Sequence, residues 1–159
     1  MVILGIDPGL ERMGYGVIEK KGSVIRAIDF GLISTPRIET SLRLVHLYER
    51  CSALLQQHKP DCVANEKLFF AKNQTTAMDV AKALGVAQLA FAQAGLTPRE
   101  FSPPEIKLSV VGNGAAEKKQ VQFMVQRLLG LESAPKPDDV ADALAVAITM
   151  AFRHDVPRR

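Results

Sequence analysis

The chain has 159 residues, 47% of them hydrophobic and 23% charged, a balance that excludes intrinsic disorder and fits one ordinary globular domain. Apolar stretches are broken by charge or glycine well short of the ~18 residues a membrane-spanning helix needs. Twenty Lys and Arg against seventeen Asp and Glu give a net charge of +3, which permits a nucleic-acid partner without demanding one. The opening Val2-Ile3-Leu4-Gly5-Ile6-Asp7 carries no basic lead and no cleavage site, so the expectation is a cytoplasmic protein. Cys51 and Cys62 have no second pair to complete a metal knuckle and read as small core residues in a reducing compartment.

Three strands are predicted first. Val2 to Ile6 is an apolar run ended by the turn Asp7-Pro8-Gly9, Gly14 to Glu19 is a second strand, and Lys21-Gly22 leads into a third, Ser23 to Ile33. Such short connections make them antiparallel neighbours. From Thr40 to His58 the period changes: Leu44, Leu47, Tyr48, Cys51, Leu54 and Leu55 recur at helical spacing until Lys59-Pro60. Asp61 to Asn65 is a short strand closed by Glu66. A long helix from about Gln74 to Ala94 is apolar or small on nearly every side, so it is either central to the core or packs on the sheet and a second subunit. Thr97 to Phe101 is a fifth strand. Ser102-Pro103-Pro104-Glu105 has the form of a capping box and starts a short helix to Val110. Two more helices, Ala116 to Leu129 and Asp138 to Phe152, follow the Gly112-Asn113-Gly114 loop.

This order predicts an α/β fold: a five-stranded mixed sheet, antiparallel meander plus parallel crossover strands, with helices on its faces. A right-handed crossover places the strand ending at Glu66 beside and parallel to the first. Asp7 and Glu66 then become neighbours at one sheet edge.

Asp-Pro-Gly is also simply a good turn. Glu66 is harder to explain away, because it follows Cys62-Val63-Ala64 on a strand that should be central. The last helix is hydrophobic nearly all round except for Asp138, Asp139 and Asp142 near its start. N-terminal helix chemistry explains Asp138 and in part Asp139, but Asp142 poorly. Asp139 and Asp142, three apart, project from one face. Carboxylates converging in an apolar setting repel one another unless a cation neutralises them, and an oxygen-only set favours Mg²⁺ or Mn²⁺ over zinc. Two such ions form the machinery of phosphodiester hydrolysis.

Gly5-Ile6-Asp7-Pro8-Gly9 with Gly14-Tyr15-Gly16, then Glu66, Phe69 and Ala71-Lys72-Asn73, resemble the RuvC family of Holliday junction resolvases. So do Ile106-Lys107, Val111-Gly112, Ala116-Glu117-Lys118 with Gln120-Val121, and Asp139-Val140-Ala141-Asp142-Ala143-Leu144-Ala145. The resemblance runs in order over nearly the whole chain. It implies a ribonuclease-H-like fold, a homodimer, and Mg²⁺-dependent paired nicking of four-way DNA junctions, leaving 5′-phosphate and 3′-hydroxyl ends. It implies metal binding by Asp7, Glu66, Asp139 and Asp142, and, by analogy only, partners that bind the junction and migrate its branch point. The single nuclease domain is expected over residues 1–152, with 153–159 a short basic tail.

Other matched positions gain roles from the same resemblance. Phe69 is similar to the family's aromatic that stacks on junction bases; spacing alone does not separate it from Phe70. Lys118 lies at the edge of the face that Val121, Met124, Val125, Leu128 and Leu129 bury, whereas Lys119 lines up with Gln122 and Gln126 toward water. Lys118 is also the residue that resembles the family's lysine, and Lys107 resembles the second; both would neutralise the scissile phosphate. Lys67, Lys72 and Asn73 are expected on the DNA backbone.

Three positions depart from the family pattern. Asn65 stands where an apolar strand residue is usual, which puts the strand end at Glu66 in question. Asp138 beside Asp139 offers an alternative ligand, although the D-x-x-D-A-L-A register favours Asp139. Met150 stands where relatives often carry His, and the basic tail is short.

An actin-like or sugar-kinase ATPase shares the Gly-Ile-Asp-x-Gly turn but needs two domains. The remaining rivals are a ribonuclease-H-like nuclease acting on other nucleic acid, and a catalytically inactive junction-binding module. Taking the four proposed ligands from the seventeen acids leaves thirteen against twenty bases, a basic surface around an acidic centre.

Overall fold

A computed structural model of the chain describes residues 1–68 and 74–154, leaving aside the side chains of residues 74–76. The strands are β1 (Val2–Asp7), β2 (Arg12–Lys21), β3 (Val24–Ser34), β4 (Cys62–Glu66) and β5 (Arg99–Phe101). The helices are α1 (Thr40–His58), α2 (Gln74–Gln93), α3 (Pro103–Val111), α4 (Lys118–Leu129) and α5 (Asp138–Arg153). The sheet order is β3-β2-β1-β4-β5, with β1 antiparallel to β2 and parallel to β4. The five-stranded mixed sheet expected from the element order is the one observed.

Alternation along the strands divides the core into two layers. Ile3, Ile18, Ala64 and Phe101 point to the face covered by α3, α4 and α5. Leu4, Ile6, Val17 and Val63 point to the opposite face, where α1 supplies Leu47 and Cys51 and α2 supplies Ala87 and Phe91. Full burial of a side chain such as Phe91 or Phe101 stabilises the fold by about 1.5–3 kcal/mol.

Helix α5 is buried on nearly every side, from Val140 to Ala151, because it lies directly across β1 and β2. Glycine makes that approach possible. A Cβ on Gly5 would stand 2.4 Å from the Ala143 carbonyl oxygen and 2.7 Å from the Ala147 nitrogen. None of the described helices is long and apolar enough to cross a membrane.

Several element ends differ from the sequence reading by a residue or two, and three of them bear on the site. β2 starts at Arg12 rather than Gly14, because pairing with β3 continues to Arg12↔Ser34 beyond the last β1 pair, Asp7↔Gly14. α4 starts at Lys118 rather than Ala116, because Glu117 closes a capping box with Gln120. Asn65 does not shorten β4: it is fully buried, pairs with Ile6 and Glu100, and the strand continues through Glu66. Its amide Nδ2 donates to the Glu66 carbonyl at 3.0 Å and to Glu100 Oε1 at 3.1 Å.

Candidate active site

Asp7 ends β1 and Glu66 ends β4, and the pair Ile6↔Asn65 just before them sets the two acids side by side. Because side chains alternate, Ile6 and Asn65 turn toward the α1–α2 layer while Asp7 and Glu66 turn toward α5. Pro137 caps α5, so Asp138 and Asp139 fall in its first turn and Asp142 one turn further on. Strand pairing and the docking of α5 therefore deliver four acids to one sheet edge.

Their mutual repulsion is visible in the proton affinities. The Asp7 carboxyl is pushed from 3.8 up to about 8, first by burial and then by Glu66, Asp142 and Asp139, with Lys118 opposing. Glu66 is raised by burial and by Asp142, against the pull of Lys118 and Lys107. Asp142 is raised by burial in spite of its hydrogen bond from Lys118.

Two cations reach the α5 acids. Lys118 Nζ lies 3.0 Å from Asp142 Oδ2 and 3.3 Å from Asp138 Oδ2, and Gln122 Nε2 holds the other oxygen of Asp138 at 2.8 Å. Arg12 Nη2 approaches Asp139 Oδ2 to 3.4 Å. That contact lacks hydrogen-bond geometry, so Asp139 Oδ2 is a buried oxygen with no hydrogen bond among the described residues. With α5 acids drawn toward these cations, no three His, Cys, Asp or Glu side chains among the described residues close around one point. The acids are electrostatically coupled rather than locked in a finished cage.

Lys107 and Lys118 both line a cleft of about 240 Å³, together with Glu66, Asp142, Ile106 and Val121. An adjoining recess of about 210 Å³ is lined by Asp7, Glu66, Pro8, Lys67 and Pro103. A larger groove of about 650 Å³ runs between α1 and α2, but its lining includes one acid, Glu49, and none of the coupled group. Size does not identify the site here; charge does.

An oxygen-only donor set, a buried carboxylate oxygen without a hydrogen bond, and carboxyls driven toward protonation by burial and then by one another all fit a hard divalent cation. Asp7, Glu66, Asp139 and Asp142 could hold it. Phe69, Lys72 and Asn73 lie outside the described residues. Sequence reasoning missed Arg12 as a site residue. No local signal marks it, because β2 reaches back to Arg12 only through its pairing with β3 beyond the end of β1. It also treated Asp138 as an N-terminal helix residue or a rival ligand, whereas the structure ties it to Lys118 and Gln122.

Residues 3–150 match the family model for crossover junction endodeoxyribonuclease RuvC. The chain belongs to the RuvC family. The RuvC match begins in β1 and ends in α5, so all four acids and both lysines fall within it. The RuvC of Syntrophomonas wolfei subsp. wolfei is 50% identical over 149 residues, covering 93% of this chain and 87% of that protein. That of Alkaliphilus metalliredigens is 51% identical over 152 residues, covering 95% and 93%. Among solved structures, T. thermophilus RuvC in complex with Holliday junction substrate is similar with a TM-score of 0.92 and 35% identity. The match covers 97% of this chain and 94% of that one. The ribonuclease-H-like fold of the family is thus the fold of this chain.

Proposed function

We propose that this protein is a structure-selective endonuclease that resolves four-way (Holliday) DNA junctions by paired phosphodiester hydrolysis, acting in recombination and repair. The observation that carries the reading is the delivery of Asp7, Glu66, Asp139 and Asp142 to one sheet edge, where burial first and then the neighbouring acids push Asp7 to about 8. Family membership supplies the substrate class, since the solved RuvC relative holds Holliday junction substrate.

Asp7, Glu66, Asp139 and Asp142 would hold two Mg²⁺, with Mn²⁺ able to substitute. When bound, the ions supply an activated water and stabilisation of the leaving oxygen. The chain's own groups do the rest. Lys107 and Lys118, which line the cleft, meet the negative charge that builds on the attacked phosphate. Asp138, fixed by Gln122, is a positioning residue that keeps Lys118 over the cleft. Arg12 restrains Asp139. In-line attack breaks the bond to the 3′ oxygen and leaves 5′-phosphate and 3′-hydroxyl ends.

Paired nicking requires two sites, so the working unit is a homodimer, one site to each of two opposed strands. Exposed Leu42 and Val45 on α1 and Met78 and Leu89 on α2 offer apolar area for a second copy. Phe69, Lys72 and Asn73 serve DNA contact beyond the cleft. Residues 1–152 act as one nuclease domain followed by a basic tail, in the cytoplasm, together with junction-binding and branch-migration proteins of the same pathway.

A substrate panel tests this. Incubated with Mg²⁺, the protein should cut a labelled four-way junction symmetrically and leave plain duplex and RNA–DNA hybrid intact. Cutting confined to the hybrid would favour the general ribonuclease-H-like alternative. Junction binding without cutting would favour the inactive module.

A further inference from the structure

Helix α4 contains Lys118, Lys119 and Arg127 and not one carboxylate. Its buried side is set by Val121, Val125 and Leu129. The next row round the helix, Lys118, Gln122 and Gln126, is engaged: the first two touch the α5 acids and Gln126 donates to the carbonyls of Leu131 and Glu132. Beyond that row lies a stripe of Lys119, Phe123 and Arg127, each four residues from the last and all exposed. Phe123 is 53% exposed, unusual for a ring with no partner but a cation, and the Arg127 guanidinium sits 5.2 Å from its centroid. Neither Lys119 nor Arg127 has an ion pair among the described residues.

We infer that this outer face of α4 is a second DNA-binding surface, which grips the phosphate backbone of a junction arm running outward from the cleft. The inference rests on the nuclease reading and extends it beyond the scissile phosphate. Charge selects the occupant: a helix face with unpaired cations and no acid is complementary to a polyanion. Geometry selects the direction. Lys118 at the first turn reaches into the cleft, and the stripe starts one residue later. From Lys119 to Arg127 the helix rises about 12 Å, a span that matches roughly three to four phosphates of one strand at 3.4 Å each. The Arg127 guanidinium sits over the Phe123 ring, a cation–π contact that uses none of its N–H donors and leaves them for phosphate.

The test is the salt dependence of junction binding, measured in chelator so that no cutting occurs, for the full chain and for Lys119→Gln combined with Arg127→Gln. Between about 50 and 200 mM salt the slope of log affinity against log salt should shrink by about 1.8, or ~0.9 per lost phosphate contact. Lys21→Gln, on the β2–β3 hairpin, should leave the slope unchanged. Single-turnover cutting at saturating protein should match the parent protein, because the stripe does not touch the reacting phosphate. An unchanged slope in a variant that melts like the parent would overturn the proposal. A parent protein that shows no preference for the junction over duplex would instead overturn the resolvase reading.

Discussion

Gly14 and Asp139 are in backbone contact: a Cβ built on Gly14 would stand 1.9 Å from the Asp139 carbonyl oxygen. Gly14 is also the β2 partner of Asp7. The first turn of α5 is therefore seated on the strand residue paired with the first acid. The spacing of the acids is set by a missing side chain.

Replacing that hydrogen tests the seating. Gly14→Ala should force the start of α5 off the sheet, lowering stability by about 1–3 kcal/mol, the usual cost of overpacking, and abolishing junction cutting. Gly85→Ala on α2, where a Cβ meets nothing within 4 Å, should keep or raise the melting temperature. Thermal melts with single-turnover cutting separate the two.

The raised Asp7 carboxyl has a consequence for metal-free protein. A carboxyl whose folded value lies above its unfolded one binds more protons when folded, so stability falls as pH rises between the two values. For Asp7 that window runs from 3.8 to about 8, and Glu66 and Asp142 are shifted in the same direction. In chelator the melting temperature should decline across this window. Added Mg²⁺ should remove most of the decline, and so should Asp7→Asn. Melting curves at stepped pH check it; a rise in stability over the same range would contradict the coupling.

The neighbouring acids Asp138 and Asp139 should separate by role. Asp139→Asn should abolish cutting. Asp138→Asn removes one partner of an exposed lysine, an interaction worth up to ~1 kcal/mol, so cutting should fall less than about tenfold with junction binding unchanged. In a Lys118→Ala background, Asp138→Asn should have no further effect, because it acts through Lys118. A complete loss with Asp138→Asn and none with Asp139→Asn would move the ligand by one residue.

The adjacent lysines Lys118 and Lys119 should separate in the same way. Lys118→Ala should slow single-turnover cutting by roughly 10²–10³, the range for removing one charge-stabilising donor. Lys119→Ala should weaken junction binding, most at low salt, and leave the saturated rate unchanged. Rates measured at saturating protein distinguish a slower chemical step from weaker binding.

Much of this was legible in the sequence because it depends on local pattern. The apolar run ended by Asp7-Pro8-Gly9, the short β4 and the Ala-rich helix with acids at one end place Asp7, Glu66, Asp139 and Asp142 through strand order and helical period. Lys118 and Lys119 were separable for the same reason. Arg12 was not, because its place depends on β3 carrying β2 past the end of β1, a tertiary pairing with no local signature. The tie from Gln122 through Asp138 to Lys118 depends on how α4 docks against α5, which periodicity does not specify. Asn65 raised a concern about the strand end that only its buried amide contacts, to Glu66 and Glu100, could answer.

The central claim is that burial and the neighbouring acids drive Asp7 toward protonation, at a cost in stability that a bound cation would relieve and that cutting requires. Single-turnover cleavage of a labelled four-way junction in Mg²⁺, run for the parent and for Asp7→Asn beside their melting curves in chelator, tests it most directly. The account predicts a variant that folds, melts at a higher temperature than the parent near neutral pH, and cuts nothing. Undiminished cutting by Asp7→Asn would contradict it.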